Sequence, residues 1–257
     1  MDWKFTKSIY IMVFLLLNIS LGYLLYENYV ENAVVLQSTR STLEEANIEI
    51  EEIIVPDENI IPAVTANIYN FTAEDTITVT DFDISDEGRR LLYDVTGIDV
   101  PMDLEILTNY KNENIFNGSR YVHSDVVSDM QHQVFIQHHN NLPIFDVVYA
   151  RITLVGENRL LEYYEQSLLH EFEEIEMLIH DTVVAPESII ESMHSRGFIE
   201  ENSTVESIQI GYDSVFIEEE RVLLRPAYEV VVMDESQRQR QFIVDALSLT
   251  GAVRERE

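Results

Sequence analysis

The sequence predicts an α+β protein in two unequal parts: one membrane-spanning helix at the N-terminus, then an acidic domain of antiparallel sheets and separate helices. Three observations predict it. Ser8 to Tyr26 run for 19 residues without a charge. Short alternating or β-branched runs recur through the rest of the chain, and helical patterns fall between them in separate blocks. The net charge is −31, carried almost entirely after the uncharged run.

The N-terminal run is taken first. As a helix it spans roughly 28 Å, close to the hydrocarbon thickness of a bilayer. Lys4 and Lys7 precede it, and from Glu27 to Asn70 one basic residue, Arg40, stands against nine acidic ones. That bias predicts a cytoplasmic N-terminus and an extracytoplasmic remainder, with the chain in the cell membrane as a single-pass protein. The competing reading is a cleaved signal peptide. The run is longer than a usual signal core, and the small-x-small site Ser20-Leu21-Gly22 is followed by apolar Tyr23 to Tyr26, so an anchor is expected. The organisation expected is then a tail at 1–7, a transmembrane helix at 8–26, a juxtamembrane and first α/β unit at 27–118, and a second unit at 119–257.

Within the span, Asn18 and Gly22 are four apart and share a face with Phe14. An asparagine in lipid gains from a helix partner and a glycine permits close approach, so Phe14, Asn18 and Gly22 form the candidate transmembrane interface. Trp3, Lys4, Tyr23 and Tyr26 are expected as interfacial anchors.

The outer part follows in order. Gln37 to Ala46 is expected as a short helix, Ile48 to Val55 as a strand, and Pro56 to Asn59 as a turn. Asn67 to Phe71 and Thr76 to Phe82 read as strands, rich in β-branched and aromatic residues. Ser85 to Thr96 reads as a helix capped by Ser85 and stopped at Gly97. Asp125 to His132 is a candidate helix. Gln133 to His138, Phe145 to Val155 and Arg159 to Ser167 read as strands, the last two joined by a hairpin turn at Gly156-Glu157-Asn158. Ser167 to Ile179 is expected to be partly helical. A helix is expected from Pro186 to Ser195, with proline in its first turn and Gly197 closing it. Ser207 to Tyr212, Val215 to Ile217, Ala227 to Met233 and Gln241 to Ala246 close the chain as strands. Leu142-Pro143-Ile144-Phe145-Asp146-Val147-Val148 and Arg225-Pro226-Ala227-Tyr228-Glu229-Val230-Val231 match in kind, each with proline expected to open a strand. Two tandem α/β units and convergent strand grammar both account for that match.

The chemistry that can be excluded is wide. There is no cysteine, which removes disulfides, thiolate metal sites and thiol nucleophiles together. The acidity argues against nucleic acid, whose phosphates need concentrated lysine and arginine. His138 and His139 are adjacent and face opposite sides of a strand, so they do not readily share an ion. Asp81-Phe82-Asp83-Ile84-Ser85-Asp86 imitates the start of a calcium loop, but Asp86 stands where glycine is needed and Leu92 where glutamate is needed. No serine-hydrolase elbow, phosphate loop or dinucleotide fingerprint occurs. Asp245, beside the turn at Thr250-Gly251, is expected to bond backbone amides of that turn. No catalytic residue, metal or cofactor is expected, and the chain is not expected to be an enzyme.

Several segments resemble one family in order and spacing. They are Met1-Asp2-Trp3-Lys4 before the span, Leu142-Pro143-Ile144-Phe145, Tyr163-Tyr164-Glu165-Gln166-Ser167-Leu168, Ile210-Gly211-Tyr212, Arg225-Pro226-Ala227-Tyr228, and Val244-Asp245-Ala246-Leu247-Ser248-Leu249-Thr250-Gly251. Together they are similar to YycI (WalI), the membrane-anchored auxiliary regulator of the WalK/WalR (YycG/YycF) two-component system in low-GC Gram-positive bacteria. The closing segment also resembles PepSY-type domains. The resemblance implies tandem YycH/PepSY-like units, a WalK-type sensor histidine kinase and a YycH-type sister regulator as partners, and action through transmembrane contacts in cell-wall homeostasis. A homodimer stays open. The alternative is an anchored PepSY-like module that binds a ligand or peptide.

Overall fold

The structure, a computed structural model, describes residues 14, 18, 42–56, 60–75, 82–95, 97–145, 147–175 and 182–256. Its strands in chain order are β1 (Glu49–Ile50), β2 (Ile53–Ile54), β3 (Val64–Ile68), β4 (Phe82–Ser85), β5 (Arg90–Asp94), β6 (Tyr121–His123), β7 (His132–His139), β8 (Leu142–Pro143), β9 (Arg151–Glu157), β10 (Leu160–Gln166), β11 (Leu169–Glu174), β12 (Thr204–Glu218), β13 (Arg221–Met233), β14 (Gln239–Asp245) and β15 (Val253–Arg256). Helices α1 (Leu104–Asn114) and α2 (Pro186–Ser195) stand among them, and residues 42–45 are helical as well, within the helix expected at 37–46. The α+β class holds, with sheet predominating. Among the described residues no helix is long and apolar enough to cross a membrane. The expected span lies outside them, apart from Phe14 and Asn18.

The strands form two sheets. The first runs β1-β12-β13-β14-β15, with β2 also on β12, β3 on β13 and β11 on β3. The second runs β4-β5-β10-β9-β7-β6, with β8 on β7. The chain enters the first sheet at 49–68, leaves for the second at 82–166, and returns at 169–174 and 204–256. The unit boundary expected at residue 118 therefore falls within the second sheet.

Each sheet buries its own core. In the first, Ile189, Ile190 and Met193 of α2 pack on Ile208, Tyr228, Val230 and Phe242. In the second, Leu107 of α1 and Ile115 pack with Phe135, Ile152, Leu154 and Tyr164. Helix α2 starts at Pro186, where a missing N–H costs nothing, as its sequence predicts. The hairpin between β9 and β10 turns through Asn158 and Arg159, both left-handed (φ 53° and 67°), as a tight two-residue turn requires.

Other expectations are corrected. Where a helix was expected from Ser85 to Thr96, Phe82 to Asp94 form a hairpin: β4 and β5 are joined by a 3-10 turn at Asp86–Gly88. Asp86, Glu87 and Gly88 all have positive φ, which a continuing α-helix does not tolerate. Leu91 is buried in the second core, and Tyr93 stacks on Tyr164 across the β5–β10 pair at 5.1 Å. Leu169–Glu174 is a strand, paired antiparallel with β3, where partial helix was expected. Asp125–His132 holds only a 3-10 turn before β7 begins. Expected strands 207–212 and 215–217 fuse into β12, and α1 and β15 were not anticipated.

The two proline segments occupy unlike places. Pro143 ends the two-residue β8, whereas Pro226 lies inside the long β13. There β13 exchanges one neighbour for another: β3 pairs with Arg221 to Leu224, and β14 takes over from Ala227. The Pro226 carbonyl accepts from Ala246 N on that side, so its missing N–H falls at the gap between the two neighbours. A proline is tolerated there because no ladder donor is lost.

Candidate interaction surface

The two described residues of the expected span are both helical. Asn18 Nδ2 donates to the Phe14 backbone carbonyl at 2.7 Å, and the spacing of four puts the two residues on one helical face. Phe14 is exposed. The bond satisfies one amide hydrogen within the helix. Gly22 lies outside the described residues.

Four of the segments similar to one family converge: Leu142–Phe145, Ile210–Tyr212, Arg225–Tyr228 and the one that begins at Val244. Phe145 N donates to the Tyr212 carbonyl at 2.7 Å, and Ile144 and Tyr212 form a parallel bridge. Tyr212 lies opposite Pro226 on β13, and Ala246 N reaches the Pro226 carbonyl. Gly211 allows this approach. A Cβ there would lie 2.4 Å from the Pro143 carbonyl oxygen and 2.6 Å from the Phe145 ring.

Neutral polar groups clamp the same junction. Gln137, fully buried in β7, donates to the Leu169 carbonyl at 2.7 Å and accepts from Leu169 N at 2.8 Å. This joins the second sheet to the first. Tyr121 Oη donates to the Ser167 carbonyl, and Ser167 Oγ to the Val148 carbonyl. Gln166 Nε2 donates to the Phe116 carbonyl at 2.6 Å. Asp245 Oδ1 accepts from Leu247 N at 2.9 Å, the turn-holding role expected of it.

Beside the junction lies an open cleft of about 540 Å³, lined among others by Ile54, Val55, Ile60, Leu142, Pro143 and Tyr212. Burial, with Glu174 nearby, pushes the Tyr212 phenol up to about 12, so it is a neutral donor at ordinary pH. A smaller cleft of about 170 Å³ shares Val55 and Pro56 and reaches Pro186 and Tyr228. Sequence reasoning placed 48–55 on a strand but did not single out this surface. The exposed apolar run Ile53-Ile54-Val55 was its one visible signal.

Among the described residues the histidines do not gather at one place. His139 stacks on Phe172 at 4.0 Å, and burial lowers both His138 and His139 from the usual imidazole range. His132 pairs with Asp129 and His123 with Asp125, in separate places. Among the described residues no three of His, Asp and Glu stand close enough together to hold a metal ion.

Comparison with protein families matches the model described as YycI protein over residues 29–247. The chain belongs to the YycI family. The match runs from before β1 to just past β14, so YycI membership takes in both sheets and the junction between them. No curated protein matches the sequence. Among solved structures, the chain is similar to an uncharacterized protein from Eubacterium rectale ATCC 33656, at 9% identity and a TM-score of 0.47, over 82% of this chain and 91% of that one.

Proposed function

We propose that this chain is a non-enzymatic accessory regulator of a WalK-type sensor histidine kinase, anchored by Ser8–Tyr26 with its N-terminus in the cytoplasm and its two sheets outside. Regulation of the WalK (YycG) two-component system is, in general terms, the role of the YycI family, and the family match over 29–247 is the observation that carries the reading. In the finer proposal the anchor pairs with the spans of the kinase and of a YycH-type sister protein through the face of Phe14, Asn18 and Gly22. The Asn18–Phe14 bond supports that face as a unit. A bound helix that favours one kinase state by a few kcal/mol changes output substantially.

The test is to replace Ser8–Tyr26 with an unrelated apolar span of equal length and measure kinase output in cells. The expected result is a protein still in the membrane and a loss of regulation. Unchanged output overturns the proposal. Full regulation by a released Glu27–Glu257 fragment would instead support a ligand-binding module that uses the helix only as an anchor.

A further inference from the structure

Strands β1 and β2 lie parallel to β12 and end the first sheet on that side among the described residues. Alternate backbone groups along 49–55 point away from β12, toward an edge on which no described strand sits. Protein edges of this kind are usually blunted by charge or covered. Here Ile53, Ile54 and Val55 are 42%, 41% and 41% exposed in sequence, and Ile60 close by is 50% exposed. The clefts of about 540 and 170 Å³ both include Val55 and Pro56, so this edge borders two hollows, the smaller one apolar and the larger one of mixed lining. An added strand sends alternate side chains to opposite faces, so an apolar set can meet the smaller cleft while a basic set meets the larger one, which Glu174 also lines.

Charge selects the occupant. Glu49, Glu51 and Glu52 are exposed along the edge, Glu174 lines the larger cleft, and the whole chain carries −31. A second copy would bring acid against acid. We propose that the edge from Glu49 to Val55 docks an extended strand of a partner protein in which β-branched apolar residues alternate with lysine or arginine. This rests on the reading of the chain as an interaction protein and names the chemistry of what its outer domain takes.

The test uses the full chain in nanodiscs of zwitterionic lipid and a short acetylated peptide alternating valine and lysine. A peptide of the same charge with proline at its central valines serves as the comparison, since it cannot add to a ladder. The alternating peptide should bind roughly tenfold tighter or better, and slow amide exchange across 49–55. Ile53→Lys with Val55→Lys, at exposed positions, should abolish that preference, and Glu51→Lys with Glu52→Lys should weaken it. Equal binding of the two peptides overturns the proposal, as does absence of protection at 49–55 in the unaltered chain. Concentration-dependent dimers lost in Ile53→Lys with Val55→Lys would also overturn it, by making a second copy the occupant. The assay does not read kinase output, so its failure leaves the regulatory reading to the span replacement.

Discussion

Lys111 offers a sharp test of how the second sheet is held. It is 2% exposed, on the last turn of α1, and its Nζ donates to the carbonyls of Gly118 at 2.7 Å and Tyr121 at 2.6 Å. The Phe135 ring lies 5.2 Å from the ammonium. Burial lowers its pKa from 10.5 to about 8. A lysine lowered on folding binds fewer protons folded than unfolded between those values. Stability attributable to it therefore rises with pH from about 8 toward 10.5, and the full penalty for the buried charge is felt below 8. Worked from those two values, the lysine's contribution improves by about 2 kcal/mol between pH 7.5 and 9.5. Lys111→Met removes that dependence. At pH 7.5 it also removes the buried charge and leaves two carbonyls short of a donor, at about 1–3 kcal/mol each, so the opposing effects largely offset. Urea unfolding of both proteins at pH 7.5, 8.5 and 9.5 measures the difference directly. Tyrosines titrating at higher pH are common to both proteins and cancel. Stability curves that stay parallel across the range refute the argument.

Two further outcomes follow from the junction. Gln137→Leu strips both the donor and the acceptor that serve Leu169, and should cost about 3 kcal/mol by chemical denaturation, with faster amide exchange at Leu169. Gly211→Ala sets a methyl against the Pro143 carbonyl and Phe145 ring; overpacking of this kind costs about 2 kcal/mol, and a melting temperature equal to the parent's would count against the close approach.

The legible parts of the fold are those decided by a few neighbouring residues. Helix α2 announces itself by Pro186 and its apolar spacing, and the β9–β10 hairpin by alternation around Asn158. Helix α1 stays hidden because its two buried positions are Leu107 and Lys111. A lysine at the inward i+4 site interrupts the stripe that would mark a helix, though Asp103, whose carboxylate accepts from Glu105 N and Ile106 N, was a readable cap. The β4–β5 hairpin misleads in the opposite way. Leu91 and Leu92 look like one helical face, yet in a strand they part, and only Leu91 is deeply buried. The interleaving of the sheets depends on pairings such as β3 with β13, which no local pattern encodes. The candidate surface divides likewise. The spacing of Phe14 and Asn18 fixes their common face, whereas nothing local says that 49–55 ends a sheet.

The polar groups buried in this chain also sort by what pH can do to them. The Gln137 clamp between the sheets, and the bonds made by Gln166 and Ser167 beside it, are neutral and carry no proton that titrates near neutrality. Tyr121 is their link to the charged site: its carbonyl accepts from Lys111, and its hydroxyl donates to the Ser167 carbonyl at 2.7 Å. Burial raises the Tyr121 phenol well above its ordinary value, so that hydroxyl keeps its proton throughout the range in which Lys111 loses one. Deprotonation of Lys111 relieves the buried charge, leaves an amine with two N–H groups for the Gly118 and Tyr121 carbonyls, and withdraws no donor from the junction. The meeting place of Leu142–Phe145, Ile210–Tyr212 and Arg225–Tyr228 keeps its bonds while the second sheet's stability changes around it.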